Sequence, residues 1–164
     1  MNNKIIIAID AMGGENAPSK NIEGIYIFLK KNKKIKDLFF NIYGDKNLII
    51  KELNKYKIPL HFYKIFHSST VVSDEETPLA AIKNSKDSSM WNAISSQIEL
   101  NSNISLSAGN TGVMFVISRM VLKTIESVSK PALAGLWPNE KNMNVVLDLG
   151  ANVECDDKNL VDFS

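Results

Sequence analysis

The chain has 164 residues, 45% of them hydrophobic and 23% charged, the balance of a soluble globular protein; a domain near ~150 residues removes roughly 68–70% of its unfolded surface from water. The formal net charge is +1, with Arg119 the only arginine, so neither a nucleic-acid footprint nor an acidic tail is present. Cys155 is the single cysteine, which excludes an internal disulfide and a Cys-based zinc site and suits a reducing, cytoplasmic compartment.

Met1-Asn2-Asn3-Lys4 runs straight into Ile5-Ile6-Ile7-Ala8-Ile9. That run is too short for a signal-peptide core and lacks a small-residue cleavage site. Nothing approaches the ~18–20 apolar residues of a membrane span. The β-branched run reads as a strand buried on both faces, ending at Asp10. Gly13 and Gly14 then supply a turn, Asn16 or its neighbour a cap, and Pro18 a first helical turn. A helix is expected over Ser19–Lys31, with Ile22, Ile25, Phe28 and Leu29 on one face. The lysines from Lys30 to Lys34 read as a solvated terminus that favours cations.

The pattern recurs with a strand over Phe39–Tyr43, a helix over Lys46–Lys55 and a strand over Leu60–Phe66. His61 and His67 match no metal-ligand spacing. After the acidic triplet Asp74-Glu75-Glu76, Thr77-Pro78 opens a helix holding Leu79, Ala80, Ala81 and Ile82. Asp87-Ser88-Ser89 caps another that runs from Met90 to about Leu100. A strand over Ile104–Ser107 precedes a helix from Val113 to about Ile125. Strands are then expected over Ala132–Trp137 and Val145–Leu149, and a new helix begins near Asp162. Alternating strands and helices imply one α/β domain over residues 1–164, a three-layer α/β/α fold with a mostly parallel, Rossmann-like sheet.

In such sheets ligands sit at the carboxyl ends of strands. Three strand-end loops here combine glycine with small polar residues: Asp10-Ala11-Met12-Gly13-Gly14, Ser107-Ala108-Gly109-Asn110-Thr111-Gly112 and Asp148-Leu149-Gly150-Ala151-Asn152. Backbone N–H groups freed at a helix start favour an anion, and the Ser107 and Thr111 hydroxyls and the Asn110 amide add donors. The loops form a candidate phosphate or oxyanion cradle. Walker A, G-x-G-x-x-G and G-x-S-x-G spacings are all absent. Cys155 has no histidine partner, so in an enzyme the nucleophile would be a substrate.

Ile7-Ala8-Ile9-Asp10-Ala11-Met12-Gly13-Gly14-Glu15-Asn16-Ala17-Pro18 resembles the opening signature of the bacterial phosphate acyltransferases of phospholipid synthesis. In the family's order follow Thr77-Pro78-Leu79-Ala80-Ala81-Ile82, Lys86-Asp87-Ser88-Ser89-Met90, Ser107-Ala108-Gly109-Asn110-Thr111-Gly112, Lys130-Pro131-Ala132-Leu133-Ala134 and Leu147-Asp148-Leu149-Gly150-Ala151-Asn152. The resemblance implies an architecture related to phosphotransacetylase and isocitrate dehydrogenase. The implied reaction converts acyl-acyl carrier protein and inorganic phosphate to acyl-phosphate, without metal or cofactor. It further implies Asn110, Thr111 and the N–H groups of Gly109 and Gly112 as donors, Lys86 as the neutralising cation, and Asp10 holding the Gly13-Gly14 loop or accepting a proton. Ser107 joins the donors, and Asp148 and Asn152 organise the cleft. Family members run to about twice this length, so the chain reads as an amino-terminal portion. Further strands, much of the acyl-chain site, a homodimer surface and a peripheral membrane contact would belong to the other half. Another phosphate-handling α/β enzyme, such as a phosphotransacetylase-like protein, and an inactive fragment are the alternatives.

Overall fold

The computed structural model of the chain describes residues 4–35, 37–73, 77, 80, 83, 85–99 and 101–164. The acidic triplet Asp74-Glu75-Glu76, most of the expected helix after Thr77 (Pro78, Leu79, Ala81, Ile82) and Leu100 lie outside the described residues. The Thr77 hydroxyl accepts the N–H of Ala80 at 3.3 Å. The chain forms two compact units, Met1–Leu122 and Lys123–Ser164.

The first unit is built on four strands, β1 (Ile5–Asp10), β2 (Leu38–Gly44), β3 (Tyr63–His67) and β4 (Ile104–Leu106). They pair in the order β3-β2-β1-β4, and every pairing is parallel. Helices α1 (Ser19–Lys31) and α2 (Lys46–Tyr56) carry the crossovers from β1 to β2 and from β2 to β3. Both bury their apolar stripes against one sheet face: Ile22, Ile25, Ile49 and Leu53 join Ile9, Phe40 and Ile42 in a single cluster. On the other face Ala8 and Tyr43 pack with Ala93 of α3 (Ser89–Ser95). Helix α4 (Thr111–Leu122) packs on α3 through Val113, Ile117, Met90 and Ile94. Alternation of side chains along each strand thus feeds two cores, giving the expected three layers.

Local chemistry sets most of the boundaries. Asp45 caps α2, accepting the N–H groups of Asn47 and Leu48 at 2.8 and 3.0 Å, and Ser88 caps α3 through the N–H of Trp91 at 3.1 Å. Helix α1 departs from expectation. Asn16 occupies a left-handed turn and Pro18 stands at the cap position, so no side chain caps the helix. Residues Leu60–Phe62 form a 3-10 turn instead of the start of β3, the Phe62 N–H reaching Pro59 O at 3.1 Å. Proline at the entry favours that turn by fixing φ. Helix α3 stops at Ser95 and continues only as turns.

The second unit departs further from the expected pattern. Its strands β5 (Gly135–Pro138) and β6 (Met143–Val146) pair antiparallel in a sheet of their own. The sequence pattern predicts strands here within a mostly parallel sheet, with no direction assigned to this pair. A hairpin forms because their connection is only Asn139–Asn142, where the Asn139 side chain accepts the N–H groups of Lys141 and Asn142 at 2.9 and 2.7 Å. A parallel pair needs a crossover of a dozen or more residues. The terminal helix α5 (Asp157–Phe163) begins earlier than the sequence suggests, because Asp156 and Asn159 close a reciprocal capping box.

Candidate functional site

The connections of the first unit run from β1 outward through α1 and α2 on one face. They then return to the far side of β1 through α3 on the other. The direction of winding reverses between β1 and β4, the place where an open α/β sheet leaves a crevice at its strand tips. Two of the three glycine-containing loops lie there, one after each strand.

Asp10 ends β1, is 2% exposed, and lies between these loops. One carboxylate oxygen accepts the Met12 N–H at 3.2 Å, and the other accepts the Ser107 hydroxyl at 2.7 Å. Ser107 Oγ in turn accepts the Gly109 N–H at 3.1 Å. A Cβ at Gly13 would stand 2.6–2.9 Å from Asp10 Oδ2, Ser107 Oγ and the Gly109 nitrogen, so only glycine lets the loops close on one another. Gly14 adopts φ +87° against the Ala108 carbonyl. Asn21 of α1 braces the first loop from outside, donating its amide to Ala11 O at 2.9 Å and Gly13 O at 3.0 Å.

The second loop leads into α4. Asn110 accepts the Val113 N–H on its side-chain oxygen at 3.1 Å and the Met114 N–H on its carbonyl at 2.9 Å, so it is the cap of that helix. Thr111 is exposed in the first turn and Gly112 follows it. None of the described residues accepts the N–H groups of Thr111 and Gly112. Two orphan donors and a hydroxyl therefore gather at the positive end of a 12-residue helix.

Of the residues singled out in the sequence, Asp10, Ser107 and Gly109 share hydrogen bonds, Gly13 and Gly14 pack closely against that loop pair, and Asn110, Thr111 and Gly112 continue directly from it. The Ser107 hydroxyl and Gly109 N–H face inward, engaged with Asp10 and each other, which moves the open donors onto Thr111 and Gly112. Lys86 is exposed in the turn before α3, and no ion pair among the described residues holds it. Asp148 and Asn152 belong to the second unit, where the Asn152 amide donates to Asp148 Oδ1 and to Pro131 O, both at 2.9 Å. Cys155 Sγ lies 3.6 Å from Asp148 Oδ2, and partial desolvation and that carboxylate push its thiol pKa up. Asn21 escaped notice in the sequence. Its signal was an amide on the same helical stripe as Ile25, four residues on.

A parallel α/β unit whose winding reverses between β1 and β4 has the architecture of the Rossmann-like class. The chain belongs to the family described as fatty acid synthesis protein, whose model matches residues 5–164. It is 49% identical, over its full length, to a phosphate acyltransferase of Pelagibacter ubique, covering 48% of that relative. Phosphate acyltransferases of Clostridioides difficile and of a Wolbachia strain are 38% and 40% identical, over 96% and 100% of the chain and 46% and 48% of the relatives. The chain thus spans about half the length of these relatives. Among the described residues no helix is long and apolar enough to cross a membrane.

Proposed function

We propose that this chain carries the phosphate-handling half of a phosphate acyltransferase, which transfers the acyl group of acyl-acyl carrier protein to inorganic phosphate. The observation that carries the reading is the open first turn of α4. The N–H groups of Thr111 and Gly112 and the Thr111 hydroxyl stand beside the Asp10–Ser107 knot at the winding reversal. Relatives named phosphate acyltransferase, similar along the whole chain, support the same chemistry.

A phosphate oxygen attacks the thioester carbonyl carbon, and the carbonyl electrons form a tetrahedral oxyanion. Collapse breaks the C–S bond, and the carrier leaves as a thiolate that takes a proton from solvent. A thiolate leaves readily, so the protein's contribution is placement of a dianion against a carbonyl and stabilisation of developing charge. Thr111 and the first-turn N–H groups hold the anion, and Asn110 fixes where that turn begins. Asp10 acts through the loops: its oxygens are occupied by Met12 and Ser107, so it shapes the site and does not meet phosphate, which it would repel. Lys86, exposed before α3, is the cation that neutralises the phosphate. Acyl carrier protein and phosphate are the substrates; a cytoplasmic homodimer touching the membrane through the other half completes the picture.

The test is phosphate-dependent release of free carrier from acyl-acyl carrier protein. Thr111→Ala should lower the rate about 10²-fold, the usual loss on removing one oxyanion donor. Turnover that ignores phosphate, or survives Thr111→Ala unchanged, contradicts the proposal.

A further inference from the structure

We propose that Asn21 is a positioning residue for the anion site: through the β1–α1 loop it fixes where the first turn of α4 stands, and so sets the affinity for phosphate. The inference rests on the phosphate reading above. Asn21 is the third residue of α1, half-buried beside the core residues Ile22 and Ile25. Asparagine is a weaker helix former than leucine or alanine and is favoured where its side chain caps. Yet α1 has no side-chain cap, and Asn21 does not supply one. Both hydrogens of its amide go out to the loop, to Ala11 O at 2.9 Å and Gly13 O at 3.0 Å. Among the described residues no other hydrogen bond reaches those two carbonyls. Two consecutive glycines make Gly13-Gly14 the most pliable part of this loop. Asp10 holds it from within through the Met12 N–H, and Asn21 from the α1 side. A carbonyl that swung toward the strand tips would set a negative dipole against an anion, and Asn21 prevents that rotation.

Close packing carries the effect across to the second loop. A Cβ on Gly13 would stand 2.9 Å from the Gly109 nitrogen, and a Cβ on Gly109 would stand 3.3 Å from Gly13 Cα and 2.9 Å from Met90 Cε. Gly109 is thus wedged between the first loop and α3. Met90 is 1% exposed in the cluster that joins α3 to α4, so that side of the wedge is fixed by the core. The other side is Gly13, held by Asn21. Asn110, the next residue after the wedge, caps α4 through the Val113 N–H, and Thr111 and Gly112 follow at once. A shift of Gly13 therefore moves Gly109, the cap and the two open N–H groups. Asn21 touches neither phosphate nor thioester; it acts through Gly13.

The probe is inorganic phosphate, titrated into the chain and followed by amide NMR. Asn21→Leu keeps the size and favours the helix but removes both donors. It should shift the Gly109 and Thr111 amides before any phosphate is added, and weaken phosphate binding about tenfold, the order expected when one hydrogen bond's worth of placement is lost. Asn21→Gln keeps the amide on a longer arm and should stay within about threefold of the wild type. Leu53→Ala, in the later half of α2, destabilises the same unit away from the loops and should lower the melting temperature without changing phosphate affinity. Asn21→Ser replaces Asn21→Leu if the latter fails to fold, with the same expectation. Phosphate binding by a folded Asn21→Leu or Asn21→Ser at wild-type strength overturns the inference. So do amide shifts confined to residues 11–14, and so does an equal weakening in Leu53→Ala, which would make Asn21 merely structural. In each of those cases the wild-type chain still binds phosphate and the proposed function stands. A wild-type chain that binds no phosphate sinks that reading, and this inference with it.

Discussion

The two units of this chain are held together by different physics. The first has two apolar clusters on its parallel sheet, one on each face, and buries Ile22, Ile42, Ile49, Leu53, Val113 and Ile117 almost completely. In the second, Asn159 is the only buried residue, while Leu136, Val145 and Val153 are exposed. Its order comes from polar contacts: the capping box, the Asn139 turn, and Ser129 donating both its N–H and hydroxyl to Asp162 at 3.0 and 2.8 Å. Hydrophobic burial is cooperative and strong, whereas exposed hydrogen bonds contribute little net free energy each. A site that must hold its geometry belongs in the first unit, and the loop pair is there.

The sharpest way to break this contrast is to delete apolar volume from each unit. Ile42→Ala, at a position with 0% exposure in β2, should cost about 2–5 kcal/mol in denaturant unfolding. Leu136→Ala in β5, 67% exposed, should stay within about 0.5 kcal/mol. Comparable losses would show that the second unit has a core after all. Next in size is Gly13→Ala. Its methyl would intrude on Asp10, Ser107 and Gly109, and overpacking of this kind costs about 1–3 kcal/mol. A neutral result would mean that the two loops are not locked together.

Smaller effects sharpen the polar side of the comparison. The Ser129 hydrogen bonds hold the Asp162 carboxyl below its ordinary pKa. A folded pKa depressed in this way stabilises the unit above the unfolded value, near ~3.9, and the contribution disappears as pH falls through the folded value. An NMR titration of the Asp162 carboxyl should place its midpoint under that of a free aspartate, and Ser129→Ala should raise it. A midpoint at or above the free value would remove the Ser129–Asp162 link. Smallest of all, Cys155 should alkylate with iodoacetamide more slowly than a free cysteine at pH 8, and Asp148→Asn should speed it. Slower alkylation in Asp148→Asn would contradict the raised thiol pKa.

The same contrast decides what the sequence made legible. β1, α1, β2 and α2 announced themselves through apolar periodicity, because burial enforces period on the chain. Asp10, Gly13 and Gly14 stood out by composition, and so did Ser107 through Gly112. What composition could not reveal was direction. Ser107 and Gly109 look like donors to a ligand until Asp10 is seen taking the hydroxyl and Ser107 the N–H. Asn21 was hidden inside a well-formed helical stripe, where it is one exception in an otherwise regular pattern. The antiparallel pairing of β5 and β6 is not visible in the strand pattern and follows from the four-residue connection between them. In that unit exposed valines and leucines imitate buried strands.

The central claim is that an inorganic anion lodges on the first turn of α4, and a phosphate titration followed by amide NMR tests it most directly. Saturable shifts should centre on Thr111 and Gly112, and the Gly112 shift should fade in Thr111→Pro, which removes one N–H and the hydroxyl at the first helical position, where proline is tolerated. A spectrum in which those two amides stay still while phosphate is added, or in which Thr111→Pro binds as the wild type does, would contradict the account.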